Sequence, residues 1–107
     1  MFSFFSVDRY NFNERHFMKI LEDKILRFDN WSQPWTFYEF VSKNKKLTKT
    51  ELNLFNEIWV KAGDFELWNN GDILLNCKTS QAFIEKNYGL TNEAITNIVR
   101  ALSYEWK

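Results

Sequence analysis

A chain of 107 residues with 14 Lys+Arg against 14 Asp+Glu, 45% hydrophobic residues, three Gly and one Pro is neither disordered nor collagen-like. Its size suits one hydrophobic core, in a single domain over residues 1–107. Zero net charge lacks the basic field usual for a nucleic-acid binder, and a lone Cys excludes a disulfide framework and fits a reducing, cytoplasmic setting.

The N-terminal run Met1–Phe5 is apolar but meets Asp8 and Arg9 too soon for a signal sequence, and no stretch is long enough to span a bilayer. The spacing of Phe17, Ile20, Leu21, Ile25 and Phe28 predicts a first helix, with Asn13 as N-cap and Phe12 and Phe17 as its hydrophobic staple. It should end in the Asp29-Asn30-Trp31-Ser32 segment. Pro34 suits the first turn of a short second helix through Phe37, Phe40 and Val41, with a strand as the alternative because the stretch is rich in aromatics. Thr48-Lys49-Thr50-Glu51 is a capping box, and Leu47 with Leu52 is the matching staple. The third helix it opens carries Leu52, Leu54, Phe55, Ile58, Trp59 and Ala62 over a wide arc, and Gly63 is placed to end it in a left-handed cap.

Alternation then predicts a β-hairpin. With Asn69-Asn70-Gly71 as its loop, Phe65, Leu67, Ile73, Leu75 and Cys77 share one face, while Glu66, Trp68, Asp72, Leu74 and Asn76 share the other. Met1–Val7 is available as a third strand. Two helices close the chain. Ser80 is the expected cap of the first, which ends at Gly89; Thr91 caps the second, whose buried stripe is Ile95, Ile98, Val99 and Leu102. Tyr104 and Trp106 suggest a packed-down C-terminus. The expected fold is therefore α+β and mainly helical: about five helices and a small antiparallel sheet built on the hairpin.

Chemistry-bearing patterns are sparse. His16 is the only histidine and Cys77 the only cysteine, so neither a two-histidine metal site nor a zinc set is available, and no cofactor is called for. Gly63, Gly71 and Gly89 are isolated and form no phosphate loop, and no nucleophile-elbow, kinase or dinucleotide signature is present. The chain does not read as an enzyme. Two stretches are similar to helix-turn-helix elements. Ser80 to Val99 has Gly89 in the turn, but Asn92, Glu93, Thr96, Asn97 and Arg100 make a weakly cationic second helix. Tyr38 to Asn76 is similar to a winged helix with the hairpin as wing, and Lys43, Lys45, Lys46 and Lys49 stand at the start of its recognition helix, where phosphates would bind.

The aromatic excess points elsewhere. Eleven Phe, five Trp and four Tyr make 19% of the chain, more than a small core requires. Glu66, Trp68 and Asp72 on the outer hairpin face, and Trp31, Trp35 and Tyr38 flanked by Asp29 and Glu39, combine aromatic anchors with carboxylates. Protein interfaces favour Trp and Tyr, and acidic groups complement a basic partner.

Asn (12), Phe (11), Lys (10) and Ile (7) outweigh Gly (3), Ala (4), Arg (4) and Pro (1), a bias towards AT-rich codons typical of low-GC bacteria, phages and acquired genomic islands. In size, composition, single-Cys character and lack of a catalytic motif, the whole chain resembles the small immunity proteins of bacterial toxin systems, the contact-dependent growth inhibition type most of all. That resemblance implies a protein-binding inhibitor that occludes the active site of one cognate toxin domain, often a nuclease. The partner-binding residues would be Asp29, Trp31, Trp35, Tyr38, Glu39, Glu66, Trp68 and Asp72. The alternative is a winged-helix DNA-binding regulator acting through Lys43, Lys45, Lys46 and Lys49. Neither reading involves a membrane.

Overall fold

The computed structural model describes residues 19–106, and every regular element among them is helical. Helix α1 covers 19–27, followed by a 3₁₀ turn at Pro34–Thr36, α2 (Phe37–Ser42), α3 (Lys49–Ala62), α4 (Phe65–Trp68), α5 (Ile73–Asn87) and α6 (Asn92–Glu105). No helix among them is long and apolar enough to cross a membrane. The expected cap Asn13, the staple pair Phe12 and Phe17, His16 and the strand proposed for Met1–Val7 lie outside the described residues.

Helices form where their caps and stripes require them. In α1 and just past its end, Leu21, Ile25 and Phe28 recur at helical spacing and are buried. Glu22 is also buried, and its carboxylate accepts the backbone N–H of Thr91 at the N-terminus of α6, where the helix dipole favours negative charge. Further along, the Asn97 amide donates to the Ile25 carbonyl, so α1 lies along α6. Pro34 opens the 3₁₀ turn, and α2 continues it as a helix, not a strand, burying Phe37 and Val41.

The capping box at Thr48 forms as expected: Glu51 N–H donates to Thr48 Oγ1, and Thr48 N–H donates back to Glu51 Oε1. Glu51 is fully buried, and its Oε2 has no hydrogen-bond partner among the described residues. Along α3, Phe55, Ile58 and Ala62 face the core while Val60 faces solvent. Gly63 ends the helix with φ −97°, not in the left-handed region. It is glycine for a different reason: a Cβ there would stand 2.9 Å from Leu102 Cδ2 and 3.0 Å from the Trp59 carbonyl oxygen, so α6 crosses too closely for a side chain.

The hairpin expected over residues 65–77 is absent, and the described fold is all-helical instead of α+β. Side chains that resemble turn formers act here as helix caps. Asp64 accepts from the Glu66 N–H and opens α4; Asp72 accepts from the Leu74 and Leu75 N–H groups and opens α5. Between them, Asn76 satisfies the backbone that a hairpin would have paired. Its amide donates to the carbonyls of Trp68 and Asn70, and its Oδ1 accepts the Asn70 N–H. Helix α5 thus starts a full two turns before Ser80. Ser80 is no cap but a buried mid-helix residue donating to the Ala62 carbonyl at 2.8 Å, and α5 closes at Tyr88, one residue ahead of Gly89.

The last helix follows its sequence signals. Thr91 Oγ1 accepts from the Ala94 N–H, and Ala94, Ile95, Ile98, Val99, Ala101 and Leu102 are buried. Helix α5 packs on α6, α4 and α3, and α6 also meets the 3₁₀ turn. The C-terminus is held down by Trp106, whose indole N–H donates to the Gly63 carbonyl and whose ring stacks on Trp68 at 6.4 Å.

Trp68, 4% exposed, donates its indole N–H to the Ala62 carbonyl at 2.8 Å. Trp68→Ala is expected to cost about 3–5 kcal/mol, a large share of a small domain's stability, in urea unfolding. Trp68→Phe, which keeps a ring but removes the donor, is expected to cost about 1–2 kcal/mol.

Candidate functional site

The most developed surface feature lies where the chain turns from α1 into α2. Phe28 closes α1 and anchors an aromatic cluster: its ring meets Trp31 edge-on at 4.8 Å and Phe37 at 5.3 Å, and Trp31 stacks on Phe37 at 5.9 Å. From the far side, the Arg100 guanidinium of α6 covers the Trp31 ring at 4.2 Å. Local polar side chains fix the intervening turn. The Asn30 amide donates to Gln33 Oε1, the Ser32 hydroxyl donates to Asn30 Oδ1, and the Thr36 hydroxyl and backbone N–H both donate to the Gln33 carbonyl.

This rigid turn leaves Trp35 64% exposed. The same segment contributes Thr36 to an open groove of 350 Å³, lined also by Phe28, Asp29, Asn30, Glu39, Phe40 and Lys43. Its floor is aromatic and its walls carry two carboxylates. Glu39 pairs with Lys43 at 3.2 Å, one turn on, and Lys24 Nζ stands 4.9 Å from the Phe40 ring centroid. Asp29 makes no ion pair among the described residues.

The structure divides the partner-binding residues expected from the sequence into three groups. Asp29 and Glu39 both line the groove, while Trp35 is exposed next to the lining residue Thr36 in the chain and does not itself line it. Trp31 and Tyr38 turn inward: Tyr38 stacks on Phe55 at 5.6 Å and donates its hydroxyl to Asn56 Oδ1. Glu66 and Asp72 lie exposed at the start of α4 and at the cap of α5, while Trp68 sits in the core; the hairpin face that would have displayed all three does not exist. Lys45, Lys46 and Lys49 are exposed between α2 and the first turn of α3, and Lys43 is engaged by Glu39. With α4 and the start of α5 in place of the hairpin, the winged-helix architecture is lost. On α6, Asn97 and Arg100 are committed to Ile25 and Trp31.

Sequence reasoning missed the 38% exposure of Phe40, which it named only as part of the second helix, and the contacts of Lys24 and Arg100, whose partners are distant in sequence. The spacing Phe37/Val41 already marks the buried edge of α2, which leaves Phe40 off it. A second, smaller groove of 270 Å³ lies between the C-terminal ends of α3 and α6, lined by Trp59, Val60, Gly63, Leu102, Glu105 and Trp106.

No three His, Cys, Asp or Glu side chains converge on a metal position among the described residues. Cys77 is half-buried, and desolvation pushes its thiol pKa up, so the nucleophilic thiolate is scarce at neutral pH. Comparison with known protein families, characterised proteins and solved structures finds no match.

Two outcomes check this geometry. Alkylation of Cys77 should run slower than that of a free cysteine at the same mildly alkaline pH, because a raised pKa lowers the thiolate fraction at any pH below it. Arg100→Ala should speed amide exchange over residues 30–36 and cost about 0.5–1 kcal/mol, with protection in α3 and α5 unchanged.

Proposed function

We propose that this protein is a cytoplasmic, protein-binding inhibitor of the immunity-protein kind, which neutralises one cognate bacterial toxin domain by covering its active site. The observation that carries this reading is Trp35, 64% exposed on a hydrogen-bonded turn whose next residue, Thr36, lines a groove together with Asp29 and Glu39. Leaving a large ring in water forgoes roughly 1.5–3 kcal/mol of burial. A rigid presenting loop lowers the ordering cost of binding, and Trp is the residue type most enriched at interface hot spots. Carboxylates around such an anchor complement a basic surface, as a nuclease active site presents to its phosphate substrate. The groove supplies binding chemistry, and the reading asks for none beyond it.

The test is protection. The reading requires a toxin gene beside this one; co-expressed with that toxin, the wild-type chain should restore growth, and a neighbourhood without a toxin gene would count against the reading. Trp35→Ala should lose protection and weaken the purified complex about 30-fold or more, the scale of a hot-spot residue. Its melting temperature should be unchanged, since the ring is not in the core. Full protection by Trp35→Ala would remove the proposed anchor.

A further inference from the structure

The cations that the chain itself supplies to groove residues suggest what the groove accepts. Of the residues that line the groove, Glu39 pairs with Lys43 and the Phe40 ring has Lys24 Nζ 4.9 Å from its centroid, so a carboxylate and a ring of the groove each already engage a cation supplied by the chain itself. The Lys43 pair is not held tightly. The Lys43 and Glu39 side chains are 72% and 66% exposed, and an exposed pair of this kind contributes little and is screened by salt. Asp29, on the same groove, has no ion-pair partner among the described residues. An aromatic face and two carboxylates within one cleft form the recognition set for a planar guanidinium, which stacks on a ring and forks its N–H groups onto oxygens.

We propose that this groove is an arginine-accepting subsite, in which Lys43 is an internal placeholder displaced by an arginine side chain of a basic protein partner. This rests on the protein-binding reading above and deepens it. The placeholder keeps Glu39 paired in the free protein, so the surface is electrically balanced until a better-fitting cation arrives. It also reverses the expected role of one residue. Under a nucleic-acid reading Lys43 attracts the partner; here it competes with it.

The experiment is an NMR titration of the full chain with a capped Gly-Arg-Gly-Arg-Gly peptide, beside its lysine and citrulline counterparts and a short duplex DNA. The arginine peptide should shift amides within residues 28–43, with lysine weaker and neutral citrulline inert. Lys43→Ala should tighten arginine-peptide binding about two- to fivefold, the range set by loss of an exposed competing ion pair. Asp29→Asn and Glu39→Gln should each weaken it, and added salt should weaken it further. Weaker arginine-peptide binding by Lys43→Ala, shifts confined to other surfaces, or duplex binding at the groove would overturn the proposal. Protection from the toxin that depends on Trp35 while the arginine peptide leaves the groove untouched would sink this subsite and leave the inhibitor reading standing.

Discussion

Two adjacent carbonyls at the end of α3 organise most of the molecule. The Ala62 oxygen accepts both the Trp68 indole N–H and the Ser80 hydroxyl, each at 2.8 Å, and the Gly63 oxygen accepts the Trp106 indole N–H. A helix C-terminus must dispose of carbonyls that have no partner within the helix. Here three other helices supply the donors, so a local liability of α3 fixes the positions of α4, α5 and α6. The bonds to Ala62 are buried, where a missing partner costs the full desolvation of the group left behind. Gly63 completes the arrangement by letting Leu102 close against the helix end.

That constraint also explains which parts of the fold were legible. The capping box at Thr48–Glu51, the stripe of α6 and the Pro34 turn are local, strongly patterned signals, and they are read correctly from the chain. Helix α5 was hidden because its buried positions are Asn76, Ser80 and Ile84, two of them polar, while Ile73, Leu74 and Leu75 are exposed. A hydrophobic-period test therefore points the wrong way, and Asn69-Asn70-Gly71 with alternating neighbours imitates a hairpin. The decisive partners, Ala62 for Ser80 and the Trp68 and Asn70 carbonyls for Asn76, come from the tertiary structure. At the candidate site the same division holds. Asp29, Trp35 and Glu39 were legible because aromatic and acidic residues coincide there, whereas the inward turn of Trp31 and Tyr38 depends on rings of α2 and α3.

The aromatic excess resolves into two unequal uses. Phe28, Phe37 and Phe55 form a continuous buried series, with Trp31, Tyr38 and Trp59 packed around it. Offset and edge-on pairs of this kind each add roughly 0.5–1.5 kcal/mol beyond area burial. The series runs from the end of α1 through α2 into α3, so the turn that carries Trp35 is braced by the core on one side and by Arg100 on the other. Most of the rings among the described residues serve as structure, and that structural use braces the segment that carries Trp35.

Zero net charge has a similar internal logic. Among the described residues the two ion pairs, Glu39–Lys43 and Glu57–Lys61, are both exposed one-turn pairs on a helix or at its end. Such pairs add little to stability, so their contribution to the fold is minor. Glu22 and Glu51 differ: their carboxylates are buried and accept backbone N–H groups at the N-termini of α6 and α3. The carboxylates that matter for folding are thus spent on helix ends. Those left over the groove, Asp29 and Glu39, have no comparable structural task, and a weakly held lysine is the only cation that Glu39 engages there among the described residues. Charges that the fold does not need, placed beside an aromatic ring that the core does not bury, are where selection for a partner can act without loss of stability.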